Sequence, residues 1–137
     1  MKSLVLLFAF IVFVNVIGNA QDIPAKSNAI VVVLPDSNKV SDKILKVLTA
    51  KEYTITPGKN PSVITTAAKT LKSNTRVVWN VNIKGAEVIL TGKIVVAGQG
   101  SMTIEYKGTK GTPMMNGWEE MDKIAKALGG KVSYEIK

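Results

Sequence analysis

The 137-residue chain contains no histidine and no cysteine. Without imidazole there is no serine–histidine catalysis, no histidine metal site and no side chain that ordinarily titrates near neutral pH. Without thiols there is no cysteine nucleophile, iron–sulfur ligation, thiolate zinc, disulfide scaffold or lipid-modified N-terminal cysteine. Phenylalanine is confined to Phe8, Phe10 and Phe13, so the rest of the chain has only Trp79, Trp118, Tyr53, Tyr106 and Tyr134 as aromatics. Its core must be largely aliphatic. Acidic residues are missing over one long stretch: none lies between Glu52 and Glu87, where Lys59, Lys69, Lys72, Arg76 and Lys84 are all basic.

What is present begins with Lys2, an apolar run from Leu4 to Val14 and the small residues Gly18-Asn19-Ala20. This is the pattern of a secretory signal peptide over residues 1–20, with cleavage before Gln21. The apolar stretch ends at Ile17, short of the roughly 20 residues that span a bilayer, which argues against an uncleaved anchor. The expectation is an exported protein, periplasmic or secreted, with no transmembrane segment after cleavage. Residues 21–28, QDIPAKSN, read as a flexible lead-in, and residues 29–137 as a single domain long enough to fold without staples. Without Lys2, 17 Lys and Arg stand against 10 Asp and Glu, a net of +7.

The most informative stretch is Arg76–Ala97, which alternates apolar and polar residues on both sides of Lys84-Gly85 and predicts a β-hairpin. Pairing Ile83 with Ala86, Val81 with Val88, Trp79 with Leu90 and Val77 with Gly92 puts these eight on one face, where Gly92 leaves room for the Trp79 indole. Arg76, Asn80, Asn82, Glu87, Thr91 and Lys93 fall on the other, wet face, with Val78, Ile89 and Val95 among them. Upstream, Ala29–Leu34 is a continuous β-branched run suited to an interior strand. Val40, Ile44, Val47 and Leu48 mark an amphipathic helix with a candidate cap at Asn38. Tyr53–Thr56 and Ser62–Thr66 are short strand candidates, and Ala67–Asn74 reads as one helical turn or a basic loop. Downstream, Ser101–Lys107 predicts a strand with Met102, Ile104 and Tyr106 inward. A second helix is expected with Asn116 and Glu119 as a capping box and Gly129-Gly130 as its stop. Lys131–Lys137 is a final strand with Val132, Tyr134 and Ile136 on one face.

The order β-α-β(n)-α-β gives an α+β two-layer sandwich, two helices on one face of a mainly antiparallel sheet. This order, with the length and the N-terminal signal, resembles small exported α+β proteins of Gram-negative bacteria with a helix-grip-like layout. The resemblance is one of pattern and transfers no functional residue.

Catalytic chemistry has little to stand on. No Ser-x-x-Lys occurs, and Thr66-Ala67-Ala68-Lys69 has that spacing only with threonine. Glu119, Glu120 and Asp122 cluster where a helix dipole favours negative charge, and Glu87 and Glu105 alternate outward. There is no EF-hand spacing. Gly98-Gln99-Gly100 joins strands and Gly108-Thr109-Lys110-Gly111 precedes its helix too distantly to cradle a phosphate. No catalytic residue, metal or cofactor is therefore expected.

Two surfaces remain as binding candidates. Lys59, Lys69, Lys72, Arg76 and Lys84 form a candidate anion-facing set, for phospholipid headgroups, lipopolysaccharide or acidic glycans rather than nucleic acid; the alternative is a solvated face that keeps the protein soluble. Met114, Met115 and Trp118 form a candidate apolar entrance, or else belong to the core. The expected function is a non-enzymatic binding or interaction protein acting on an anionic envelope surface or another envelope protein. The alternative is a carrier of a small apolar ligand or lipid in a cavity between helices and sheet. A homodimer through the open sheet face is a further expectation.

Overall fold

The computed structural model describes residues 22–58, 60–71 and 75–137. The signal-peptide reading of residues 1–20 lies outside the described residues, as do Lys59 and Lys72. The elements run β1 (Ala29–Val33), α1 (Val40–Ala50), β2 (Ile55–Thr56), β3 (Val63–Thr66), β4 (Lys69–Thr70), β5 (Arg76–Lys84), β6 (Glu87–Val96), β7 (Gly100–Thr103), α2 (Pro113–Ala127) and β8 (Lys131–Glu135). The strand order is β2-β3-β5-β6-β1-β8, with β4 beside β5 and β7 beside β6. Every one of these pairings is antiparallel. β1 is interior, between β6 and β8, as its unbroken apolar run requires.

Both helices lie on one face of the sheet. Ile30 and Val32 of β1, Val77, Trp79 and Val81 of β5, and Val88 and Leu90 of β6 form one cluster with Val40, Ile44 and Leu48 of α1 and with Trp118, Met121, Ile124 and Ala125 of α2. The fold is therefore the expected α+β two-layer sandwich. Gly117 lets α2 approach closely, since a Cβ there would stand 3.0 Å from Ile94 and Ile104.

The hairpin keeps its expected faces but shifts its pairing by two residues. The turn is Gly85-Ala86, with φ +62° at Gly85, the first central position where a two-residue hairpin turn uses glycine. Ile83 then faces Val88, Val81 faces Leu90, Trp79 faces Gly92 and Val77 faces Ile94. A shift of two preserves the face of every side chain, so hydrophobic alternation alone does not distinguish the two registers.

Other expectations are corrected at the ends of elements. Asn38 does not cap α1; its N–H donates to Asp36 Oδ1, and Lys39 takes the cap position with φ 59° and no side-chain cap bond. Nor does Asn116 begin α2, which starts three residues earlier: the Thr112 hydroxyl accepts from Met115 N, with Pro113 in the first turn, where the missing proline N–H costs nothing. Met102 is 44% exposed on the all-exposed strand β7, and Ile136 lies beyond β8 at 64% exposure. Ala67–Thr70 is neither helical turn nor basic loop, because Lys69 and Thr70 form β4. The last residues of the lead-in are tied down: Ser27 is fully buried, Lys26 and Ser27 exchange backbone hydrogen bonds with Tyr106, and Asn28 bonds to Glu135 and Lys137.

Candidate functional site

The sheet's open face carries a groove of about 410 Å³. Thr65, Asn80 and Thr91 line it, as part of a row that register creates: Thr65 pairs with Thr56, beyond the groove, on one side and Asn80 on the other, and Asn80 pairs with Thr91. Three hydroxyls and an amide thus stand side by side across four strands. The Thr56 hydroxyl donates to Thr65 O and lies against the Thr65 hydroxyl, and Thr91 Oγ1 donates to Asn80 O at 3.4 Å. Lys93, Asn28, Thr103 and Lys137 complete the polar lining. Lys137 is paired with Glu135 at 3.2 Å, whereas Lys93 has no ion pair among the described residues. No Asp or Glu side chain lines the groove. Arg76, opposite Val95, is the diagonal neighbour of Lys93, a relation that places Cα atoms roughly 7–8 Å apart.

The described members of the anion-facing set, Lys69, Arg76 and Lys84, do not form one patch. Arg76 and Lys84 occupy the two ends of β5, separated by roughly 27 Å of strand. Lys69 is on the opposite face from Arg76. Thr65 faces Asn80, so a continuous ladder would place Lys69 opposite Arg76, on the open face. Instead Lys69 faces Val77, because one extra residue at Ala67-Ala68 bulges the strand and turns its side chains over. The Lys69 ammonium lies 4.6 Å from the centre of the Tyr53 ring and donates to the Lys51 carbonyl.

Around Tyr53 the helix-side surface is polar and organised. Tyr53 Oη donates to Glu120 Oε1 at 3.3 Å, and Lys51 Nζ is 3.8 Å from the same carboxylate oxygen. Burial pushes the Tyr53 hydroxyl well above its ordinary range; the nearby Trp79 indole N–H opposes this in part, without reaching hydrogen-bond geometry, and the Glu120 carboxylate adds to it. Beside this group a cleft of about 310 Å³ separates β4 from α2, with Lys69, Asn116, Glu119, Glu120 and Lys123 on its walls.

Met115 and Trp118 are core residues, 9% and 2% exposed. They form the floor of a surface hollow of about 420 Å³ whose sides include Glu119, Asp122, Lys123 and Lys126. Met114 is half-buried, and its Sδ accepts from Glu105 N at 3.1 Å. The Trp118 ring packs against Tyr106 and Tyr134 at 5.6 and 5.9 Å. Tyr134 Oη donates to Asp122 at 2.8 Å, and burial, reinforced by that carboxylate, raises its ionisation well above the ordinary range.

Asn80, Thr91 and Lys93 were legible as wet-face residues from alternation, but nothing in the sequence aligned Thr56 and Thr65 with them. Among the described residues no helix is long and apolar enough to cross a membrane, and no cluster of three acidic side chains is placed to hold a metal ion. Neither a protein-family model nor a curated protein matches the chain.

Proposed function

We propose that this is an exported, non-enzymatic binding protein that holds an anionic, hydroxyl-rich carbohydrate on the open face of its sheet. The observation that carries the reading is the Thr65–Asn80–Thr91 row beside Lys93, in a groove lined by no Asp or Glu side chain, with Thr56 continuing the row past its edge. Hydroxyls and amides both donate and accept, matching sugar hydroxyls. Lys93 and Arg76 supply the charge that selects an acidic sugar over a neutral one. Export, which rests on the N-terminal sequence pattern, and kinship with small exported proteins of Gram-negative bacteria, which rests on element order and length as well, belong to the same proposal. The apolar-carrier alternative has less support: Trp79, Trp118, Met121 and Leu48 fill the space between helices and sheet, and the hollow over Met115 has a charged rim.

The test is calorimetric titration of the purified protein with oligogalacturonate and, separately, with neutral dextran and with anionic phosphatidylglycerol vesicles. Binding of the acidic oligomer that weakens with added salt, and falls roughly tenfold in Lys93→Gln, supports the reading. Equal binding of dextran, binding only of anionic lipid vesicles, or no change in Lys93→Gln would overturn it.

A further inference from the structure

We infer that the cleft between β4 and α2 is a second binding site, for a zwitterionic α-amino acid. Two independent features of the fold converge on it. One is the bulge at Ala67-Ala68, which removes Lys69 from the sheet's open face and brings it to the wall of the cleft; bulges commonly re-aim side chains beside functional sites. The ammonium is then held in place by the Lys51 carbonyl and the Tyr53 ring. The second feature is on α2. Asp122 and Lys126, four residues apart, close into an ion pair at 2.7 Å. Glu119 and Lys123 have the same spacing and order on the same helix, yet no ion pair between them forms. Both line the cleft.

An unclosed acid and base on one wall, facing a fixed cation on the other, present complementary charges to a ligand that carries both signs. A carboxylate fits between Lys69 and Lys123, and an ammonium fits against Glu119 with the Asn116 amide oxygen beside it. Glu120 is already engaged by Tyr53 and Lys51, so it braces the Tyr53–Lys69 wall rather than contacting ligand. A volume of about 310 Å³ lies at the small end of ligand sites, which suits a free amino acid. A ligand with only a negative charge leaves Glu119 unmatched, and one with only a positive charge leaves both Lys69 and Lys123 unmatched.

The experiment is calorimetric titration with each of the common amino acids, followed by the N-acetyl and carboxamide derivatives of the tightest binder. The inference predicts saturable binding of at least one amino acid and roughly tenfold weaker binding of both derivatives, the loss of one charge-assisted contact each. Glu119→Gln and Lys123→Gln, at a half-buried and an exposed position of α2, weaken binding similarly. Oligogalacturonate affinity at the open face is unchanged in these variants, which separates this site from the groove. The inference is overturned if no amino acid binds, if the acetylated or amidated derivative binds as well as the parent, or if both variants bind normally.

Discussion

Trp79 shows how one buried side chain organises its neighbours on the core face of β5 and β6. Its indole is fully buried, meets Tyr53 edge-on at 6.0 Å, and lies over Gly92 so closely that a Cβ there would stand 2.5 Å from the ring. Trp79→Ala should cost about 3–5 kcal/mol in urea unfolding; a cost below about 0.5 kcal/mol would contradict the burial described. Gly92→Ala should cost about 1–3 kcal/mol through overpacking, and most of that cost should vanish in the Trp79→Val background, where the clash is gone. The tyrosines act by protonation. Burial and a neighbouring carboxylate raise the ionisation of Tyr53 and Tyr134 in the folded protein above the ordinary tyrosine value of about 10, so an unfolded chain that ionises earlier gains stability first. Their contribution is whole below about pH 10 and is lost as pH rises through the folded values. Urea midpoints should therefore fall above about pH 10, and fall less steeply in Tyr53→Phe and Tyr134→Phe. Equal slopes in all three proteins would contradict this.

At the scale of the element, ends matter more than middles. α1 closes with Glu52 at φ 66°, where Glu52 N donates to Thr49 O and Tyr53 N to Leu48 O. This left-handed cap usually takes glycine, and it delivers Tyr53 onto Trp79 and Lys69. Glu52→Gly should raise stability by about 0.5–1 kcal/mol in thermal or urea unfolding, since the strain outweighs the entropy glycine adds to the unfolded chain. At α2, Thr112→Ala should cost about 1 kcal/mol, whereas Asn116→Ala, away from the cap, should have little effect on stability. These ends also explain what was legible. The faces of β5, β6, α1 and α2 were readable because burial imposes a period, but Thr112-Pro113 was a start signal outweighed by Asn116 and Glu119. The bulge at Ala67-Ala68 had no sequence mark, because alanine favours neither bulge nor ladder and the slip appears only against β5. Lys69 was therefore grouped with Arg76 by proximity in sequence when the fold puts them on opposite faces.

Across the whole molecule, charge and hydrogen-bonding groups are divided between two surfaces. The helix side has the mixed-charge cleft and the charged rim over Trp118, and the open side has a neutral polar row flanked by Lys93 and Arg76. The basic segment predicted from the acid-free stretch is split by this arrangement: Lys84 stands at the far end of β5 from Arg76, and Lys69 faces the helices. On the proposed reading, net positive charge draws anionic partners to the molecule in general, while register selects where one is held. A dimer through the open face would compete with carbohydrate for the same groups, so native mass spectrometry should show any dimer dissociating as oligogalacturonate is added. A dimer indifferent to the oligomer would place its interface elsewhere.

The most direct measurement is mapping of backbone amide shifts by NMR while oligogalacturonate is added. The account predicts shifts concentrated at Thr65, Asn80, Thr91 and Lys93, with the α2 amides from Asn116 to Lys123 unmoved. Shifts confined to α2 or to the Lys84 turn, or none at saturating oligomer, would contradict it.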